Sequence, residues 1–157
     1  MDKPENWKEF SKNYNRQVFS LTRFPKRRRQ ILKNVKKGKV LNMGCGPTPF
    51  LNYSLIMGGN QVTATDYCED MLKISRSKFN NPNLEFMLEN SRQYSFPSCM
   101  FDTVISINSI LPEEREDADR MFNEAYRVLK KKGVFTAFLV SFDSCIKIKK
   151  NLNPDLR

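Results

Sequence analysis

Val40-Leu41-Asn42-Met43-Gly44-Cys45-Gly46-Pro47 decides the reading of this 157-residue chain. A compact apolar run, Lys39–Met43, feeds a Gly-x-Gly turn, and a helical pattern opens just beyond it at Pro49. Glycine at both turn positions allows a tight bend and lets a ligand approach the backbone closely. The N–H groups of a helix that opens at such a bend favour a carboxylate or phosphate. Asp66 follows directly on a second β-type run, Gln61–Thr65, 20 residues after Gly46. In a nucleotide-binding α/β unit, a carboxylate there can accept the ribose hydroxyl protons. Taken singly, the first feature also reads as a plain turn and the second as a helix-capping aspartate. A dinucleotide fold would put its third glycine at position 49, which is Pro49. Proline suits the first turn of a helix but does not give the close packing that glycine provides beside a pyrophosphate.

The same alternation continues outward. Pro49–Met57 reads as a helix with Phe50, Leu51, Ser54, Leu55 and Met57 on or near one side, stopped by Gly58-Gly59-Asn60. A helix from about Glu69 to Phe79 follows and ends at Asn80-Asn81-Pro82. Leu84–Leu88 and Thr103–Ile107 read as a third and a fourth strand. From about Glu113 to Lys131, the apolar residues Ala118, Met121, Phe122, Ala125, Val128 and Leu129 trace one helical face. Gly133 is expected to cap that helix, with three lysines in its last turn. Val134–Val140 is a fifth strand, apolar almost throughout. Strands without period-2 alternation, separated by helices, imply a doubly wound, mostly parallel α/β sheet with helices on both faces.

Composition narrows the class. The chain is of single-domain size, with residues 1–38 expected as a basic helical segment packed on the core and 39–157 as the α/β domain. The net charge is +10, and residues 1–39 hold 13 of the 27 Lys/Arg and 3 of the 17 Asp/Glu, so the remainder is neutral. The excess peaks at Lys26-Arg27-Arg28-Arg29. Such a cluster reads either as a solvated helix face or as an attractor of phosphates, acidic proteins or anionic lipid. Near it, Trp7, Phe10, Tyr14, Val18, Phe19, Leu21 and Phe24 suggest amphipathic helices, with another near Pro25–Val35. The N-terminus has no apolar signal-peptide centre, and no apolar run is long enough to span a membrane. Four scattered cysteines, no CxxC pair and no histidine leave no usual zinc ligand set, so reduced thiols in a cytoplasmic protein are expected.

Val40–Pro47, Thr65-Asp66-Tyr67, Asn90-Ser91, Phe101–Ile107 and Tyr126–Gly133 together resemble the successive motifs of class I S-adenosylmethionine-dependent methyltransferases, over about residues 26–142. The resemblance implies a Rossmann-like fold and S-adenosyl-L-methionine as cofactor, with S-adenosyl-L-homocysteine as product. It implies that Gly44, Cys45 and Gly46 pass under the methionine portion and that Asp66 holds the ribose hydroxyls. Tyr67 would pack beside the ribose or adenine, Met71 would line the adenine pocket, and Asn90, where the family usually has an Asp, would accept from the adenine amino group, with Ser91 following it. Asn108 and Ser109 would face the methyl group and the acceptor, and Tyr14 would close over the cofactor.

Two departures from the family pattern stand out. Asn42 occupies a position that is commonly acidic, and the chain stops soon after the fifth strand, where an antiparallel sixth and seventh would follow. The second departure suggests either a homo- or hetero-oligomer, in which a partner subunit supplies the missing part, or a truncated chain. Methyl transfer needs mainly alignment and exclusion of water. With no histidine in the chain, Tyr14, Tyr67, Glu113 or a water would have to serve any acceptor that needs deprotonation, and no catalytic residue is assigned. Three functions remain: methylation of a small-molecule acceptor, a cofactor-binding or regulatory subunit without catalysis, and a nucleic-acid methyltransferase guided by the basic N-terminus. Against the last, the residues after the fourth strand are Asn108-Ser109-Ile110-Leu111 rather than an Asn/Asp-Pro-Pro-aromatic tetrad.

Overall fold

A computed structural model of the chain describes residues 7–8, 11–12, 25–47, 50–110 and 114–139. In order these form α1 (Pro25–Lys33), β1 (Lys39–Met43), α2 (Phe50–Met57), β2 (Gln61–Asp66), α3 (Glu69–Lys78), β3 (Leu84–Leu88), β4 (Phe101–Ile107), α4 (Arg115–Val128) and β5 (Leu129–Phe138). The strands make one sheet in the order β3-β2-β1-β4-β5. Every adjacent pair is parallel. The expected α/β fold is therefore present, and the strand order reverses direction at β1, between β2 and β4. Ligands of open parallel sheets bind beside such a reversal, at the carboxyl ends of the strands.

Alternation of side chains along each strand sorts the core into two layers. Leu41, Met43 and Val104 point to the face covered by Met121, Ala125 and Val128 of α4. Val40, Val62, Ala64 and Ile105 point to the other, where Ile31, Leu51, Leu55 and Leu72 arrive from α1, α2 and α3. Burying each such aliphatic side chain contributes about 1.5–3 kcal/mol. Ile31 is fully buried, so α1 is anchored to the sheet by its apolar side while its exposed residues Lys26, Arg29 and Lys33 face water.

Two local expectations are corrected. In α2 the buried residues are Leu51, Asn52 and Leu55, whereas Phe50 and Met57 are 42% and 68% exposed. At 100° per residue, positions 51, 52 and 55 share a face from which 50 and 57 turn away. The second correction concerns the end of α4. The helix stops at Val128 with Leu129 already extended, so Gly133 does not cap it and the lysines do not lie in its last turn. They belong to β5. Between the pairs Phe101↔Leu129 and Thr103↔Val134, β4 advances two residues while β5 advances five, so three residues are extruded as a bulge. The edge Asp102 fastens it: the Lys130 ammonium reaches both carboxylate oxygens at 2.9 Å, and the Lys39 N–H donates to Oδ2 at 2.9 Å. These partners, Lys130 first, hold the Asp102 carboxyl below its usual range.

The bulge has a conformational cost at Lys132, whose φ is 65°. A non-glycine residue in this left-handed region loses about 1–2 kcal/mol, partly offset because glycine loses more freedom on folding. Lys132→Gly is therefore expected to stabilise the fold by about 0.5–1 kcal/mol, measured by urea unfolding.

Candidate cofactor site

The carboxyl ends of β1, β2 and β4 converge on the Gly44–Gly46 turn. Gly44 and Gly46 have φ of 67° and 60°, the left-handed region in which glycine is free of strain. At Gly44 there is a second reason for glycine. A Cβ there would overlap the Cβ of Ser109 and lie 2.9 Å from its Oγ. Ser109 is held in that position by donating to the Met43 carbonyl at 2.6 Å and by sharing a 2.6 Å hydrogen bond with Ser106 Oγ. Asn108, also left-handed at φ 54°, donates its N–H to the Phe138 carbonyl at 2.8 Å. The loop after β4 is thus pressed against the turn after β1.

Asp66 ends β2 and faces the same turn. Its Oδ2 accepts from the Gly46 N–H at 2.8 Å and its Oδ1 from the Cys68 N–H at 3.0 Å, while the Cys45 N–H donates to the Thr65 carbonyl at 2.8 Å. Burial pushes the Asp66 carboxyl up, and the Cys68 and Gly46 N–H groups oppose that shift only in part. Burial likewise raises the Cys45 thiol, with the Asp66 carboxylate adding to it, so Cys45 is a neutral, buried wall of the turn.

The remaining sequence-derived residues fall around this centre. Tyr67 is half-buried, and Met71 is buried in the first turn of α3. Past β3, the Glu89 N–H donates to the Asp66 carbonyl at 3.0 Å, which brings the Asn90-Ser91 turn to the end of β2. The Asn90 side-chain oxygen accepts the Arg92 N–H at 3.0 Å, so part of its capacity shapes its own turn. Asn42 is buried beneath the loop. Its amide donates to Asn52 Oδ1 at 2.8 Å, and its backbone carbonyl accepts from Thr65 Oγ1 at 3.4 Å. Tyr14, Thr48, Pro49 and Glu113 lie outside the described residues.

Sequence reasoning missed several residues that hold the site together. Tyr94 is buried with its hydroxyl 3.3 Å from Thr65 Oγ1, and burial pushes its phenol up. Its backbone is clamped by α4: the Tyr94 N–H donates to Glu124 at 2.7 Å, and Arg127 donates to the Tyr94 and Phe96 carbonyls at 3.2 and 2.8 Å. Nothing periodic marks Tyr94 in the sequence. Asn52 did leave a signal, a polar residue inside the buried face of an otherwise apolar helix.

The methyltransferase-domain family model matches residues 40–133, well over half of the chain. The chain belongs to that family. Among solved structures, this methyltransferase domain is similar to the PH0226 protein of Pyrococcus horikoshii, with 27% identity and a TM-score of 0.64 over 96% of this chain and 61% of that one. It also resembles an S-adenosylmethionine-dependent methyltransferase, described as putative, from Methanococcus maripaludis (20% identity, TM-score 0.64, 97% and 71% of the two chains). A third similar fold is phosphoethanolamine N-methyltransferase 2 of Haemonchus contortus in complex with S-adenosyl-L-methionine (19% identity, TM-score 0.63, 82% and 36%). No curated protein matches. The methyltransferase domain thus spans about three fifths of the length of the Pyrococcus protein.

Gly44→Ala meets both a left-handed backbone and the Ser109 side chain. It is expected to cost about 2–4 kcal/mol in urea unfolding. Because Ser109→Gly removes the overlap, the double variant should be no less stable than Gly44→Ala alone, a non-additivity diagnostic of contact.

Proposed function

We propose that this methyltransferase domain binds S-adenosyl-L-methionine at the Gly44–Gly46 turn and transfers its methyl group to a small-molecule acceptor, with S-adenosyl-L-homocysteine as product. The observation that carries the reading is the joining of that turn to the Asp66 carboxylate. Family membership implies the cofactor, and the chemistry of the donor set fits it. An ionised carboxylate is acceptor-only and has lone pairs left beside its two N–H bonds, which suits the two donor hydroxyls of a ribose. Glycine at 46 leaves the turn without a side chain of its own beside the ligand's amino-acid end, and glycine at 44 makes room for Ser109. Tyr67 and Met71 would flank the adenine, with Asn90 and Ser91 at its polar edge, and Asn42 would support the loop from below. Cys45 would contribute backbone only, since its thiol is buried.

When bound, the cofactor supplies a sulfonium-activated methyl group for in-line displacement. The chain's own residues bind, orient and exclude water. Asn108 and Ser109, pressed against Gly44, stand where an acceptor would meet the methyl group, and their rigid attachment to Met43 and Phe138 favours a fixed line of approach. Tyr14 remains a proposed cover. A second reading, a cofactor-binding subunit without catalysis, is favoured by Asn42, a neutral amide tied to Asn52 beneath the site of a cationic sulfonium.

Calorimetric titration should show micromolar-range preference for S-adenosylmethionine and S-adenosylhomocysteine over NAD, and a preference for NAD would overturn the assignment. Homocysteine-derivative release across an acceptor panel would support the catalytic reading, whereas cofactor binding with silence on every acceptor would support the second. Asp66→Ala is expected to weaken binding by about 10–100-fold, the loss of charge-assisted hydrogen bonds of about 1.5–3 kcal/mol.

The pH dependence of Asp66 has opposite signs for folding and for binding. Burial raises its folded-state pKa above the ordinary 3.8. Its contribution to stability is therefore fully present below that ordinary value and is lost as pH rises through the raised one. Ribose recognition needs the ionised form. Cofactor affinity should accordingly fall on acidification at a pH above 3.8, a step that Asp66→Asn abolishes.

A further inference from the structure

The opposite end of the sheet carries a feature that cofactor binding does not use. Lys33, Lys36, Lys37, Lys39, Lys130, Lys131 and Lys132 are all exposed. They come from two segments far apart in sequence that the fold brings together. The Lys36 ammonium donates to the Lys132 carbonyl, and Thr103 Oγ1 accepts the Lys36 N–H at 3.0 Å and donates to its carbonyl at 3.2 Å. Lys37 lies beside Gly59, just before β2, because a Cβ on that glycine would be 3.2 Å from Lys37 Cε. Lys39 begins β1, and Lys130–Lys132 form the bulge at the start of β5. The lysine-bearing segments therefore run along the amino ends of β2, β1, β4 and β5. At about 4.8 Å between strands this is a row of roughly 15 Å. Asp102, in the middle, is already neutralised by Lys130.

We propose that this row is a docking track for the phosphodiester backbone of a nucleic acid. A line of charges matches a strand of phosphates better than it matches a plane of lipid headgroups. Lysine ammoniums are point charges that meet a phosphate from any direction, and contacts to phosphates carry no base identity, so the track is non-sequence-specific. Insertion into a bilayer needs an apolar face, and that of α1 is committed to the core through Ile31 and Leu32. The bulge puts lysine at 132 in a left-handed conformation that glycine would adopt without strain, so a charged side chain stands here on a backbone with a conformational cost, as at many functional sites. Because a five-residue strand is about 17 Å long, the track lies well away from the Gly44–Asp66 end, and it docks the domain rather than presenting a base to it.

The test is fluorescence anisotropy with a labelled 20-nucleotide uridine RNA and a 20-base-pair DNA duplex, alongside sedimentation with phosphatidylserine-containing vesicles. For about four phosphate contacts on a single strand, affinity should fall roughly 50-fold between 50 and 200 mM salt. Lys37→Glu/Lys131→Glu should weaken binding at least about 10-fold at 50 mM salt. Lys73→Glu/Arg120→Glu, which changes the net charge equally on exposed helical positions elsewhere, should leave it within about three-fold. Unfolding midpoints and cofactor titration check that both variants fold, and Lys37→Gln/Lys131→Gln serves if the reversed pair does not. Retention of binding by one oligonucleotide only would identify which nucleic acid uses the track. Three results would overturn the proposal: neither oligonucleotide binds at 50 mM salt, both double variants weaken binding equally, or vesicles bind while oligonucleotides do not.

Discussion

The hydrogen bond from the Gly46 N–H to the Asp66 carboxylate is the constraint on which the rest of the upper sheet depends. It joins the loop after β1 to the end of β2 across 20 residues of chain, and its neighbours act in the same direction. Cys45 is tied to Thr65, Glu89 to Asp66, and Ser109 to Met43, so the ends of β1, β2, β3 and β4 share one hydrogen-bonded floor. A carboxylate held this way is costly, because removal from water favours its neutral form. The fold would be more comfortable with that proton on. A ligand with two hydroxyl donors would restore part of the solvation that Asp66 has lost.

Beneath that floor the polar groups are not all matched. Asn42 and Asn52 exchange one hydrogen bond in a buried setting, and Asn52 Nδ2 has no partner among the described residues. An orphaned buried donor costs about 1–3 kcal/mol.

The strands were legible because a parallel sheet covered on both faces demands short, continuous apolar runs, and Lys39–Met43 and Leu84–Leu88 are such runs, bounded by glycine, asparagine and proline. The glycine turn and Asp66 were legible because their chemistry is local: a bend that needs glycine, and a carboxylate directly after a strand. Helix ends were less so. The lysines and Gly133 after Val128 carry every usual mark of a helix terminus, and only pairing with β4, a contact invisible along the chain, turns them into a bulge. Tyr94 escaped for the same reason, as did the contacts, though not the positions, of Ser109 and Arg127. Each acts through partners 29 to 66 residues away, and no periodicity records such a distance.

That bulge also shows how a parallel sheet separates its two ends. All five strands run the same way, so every carboxyl terminus, with its loops of small and polar residues, collects at one edge, and every amino terminus at the other. Around the Gly44–Gly46 turn the first edge sets the Asp66 carboxylate against backbone N–H groups, with the Lys78 ammonium donating to the Pro47 carbonyl at 3.0 Å beside it. The second edge is rich in exposed lysines, two of which, Lys36 and Lys130, are tied to the Lys132 carbonyl and to Asp102. Lys36, reaching from the segment before β1 to the carbonyl of Lys132, couples the two basic segments across β4 without touching the upper loops. Changes in charge at the base of the sheet can therefore tune long-range attraction while leaving the geometry at Gly44 and Asp66 intact.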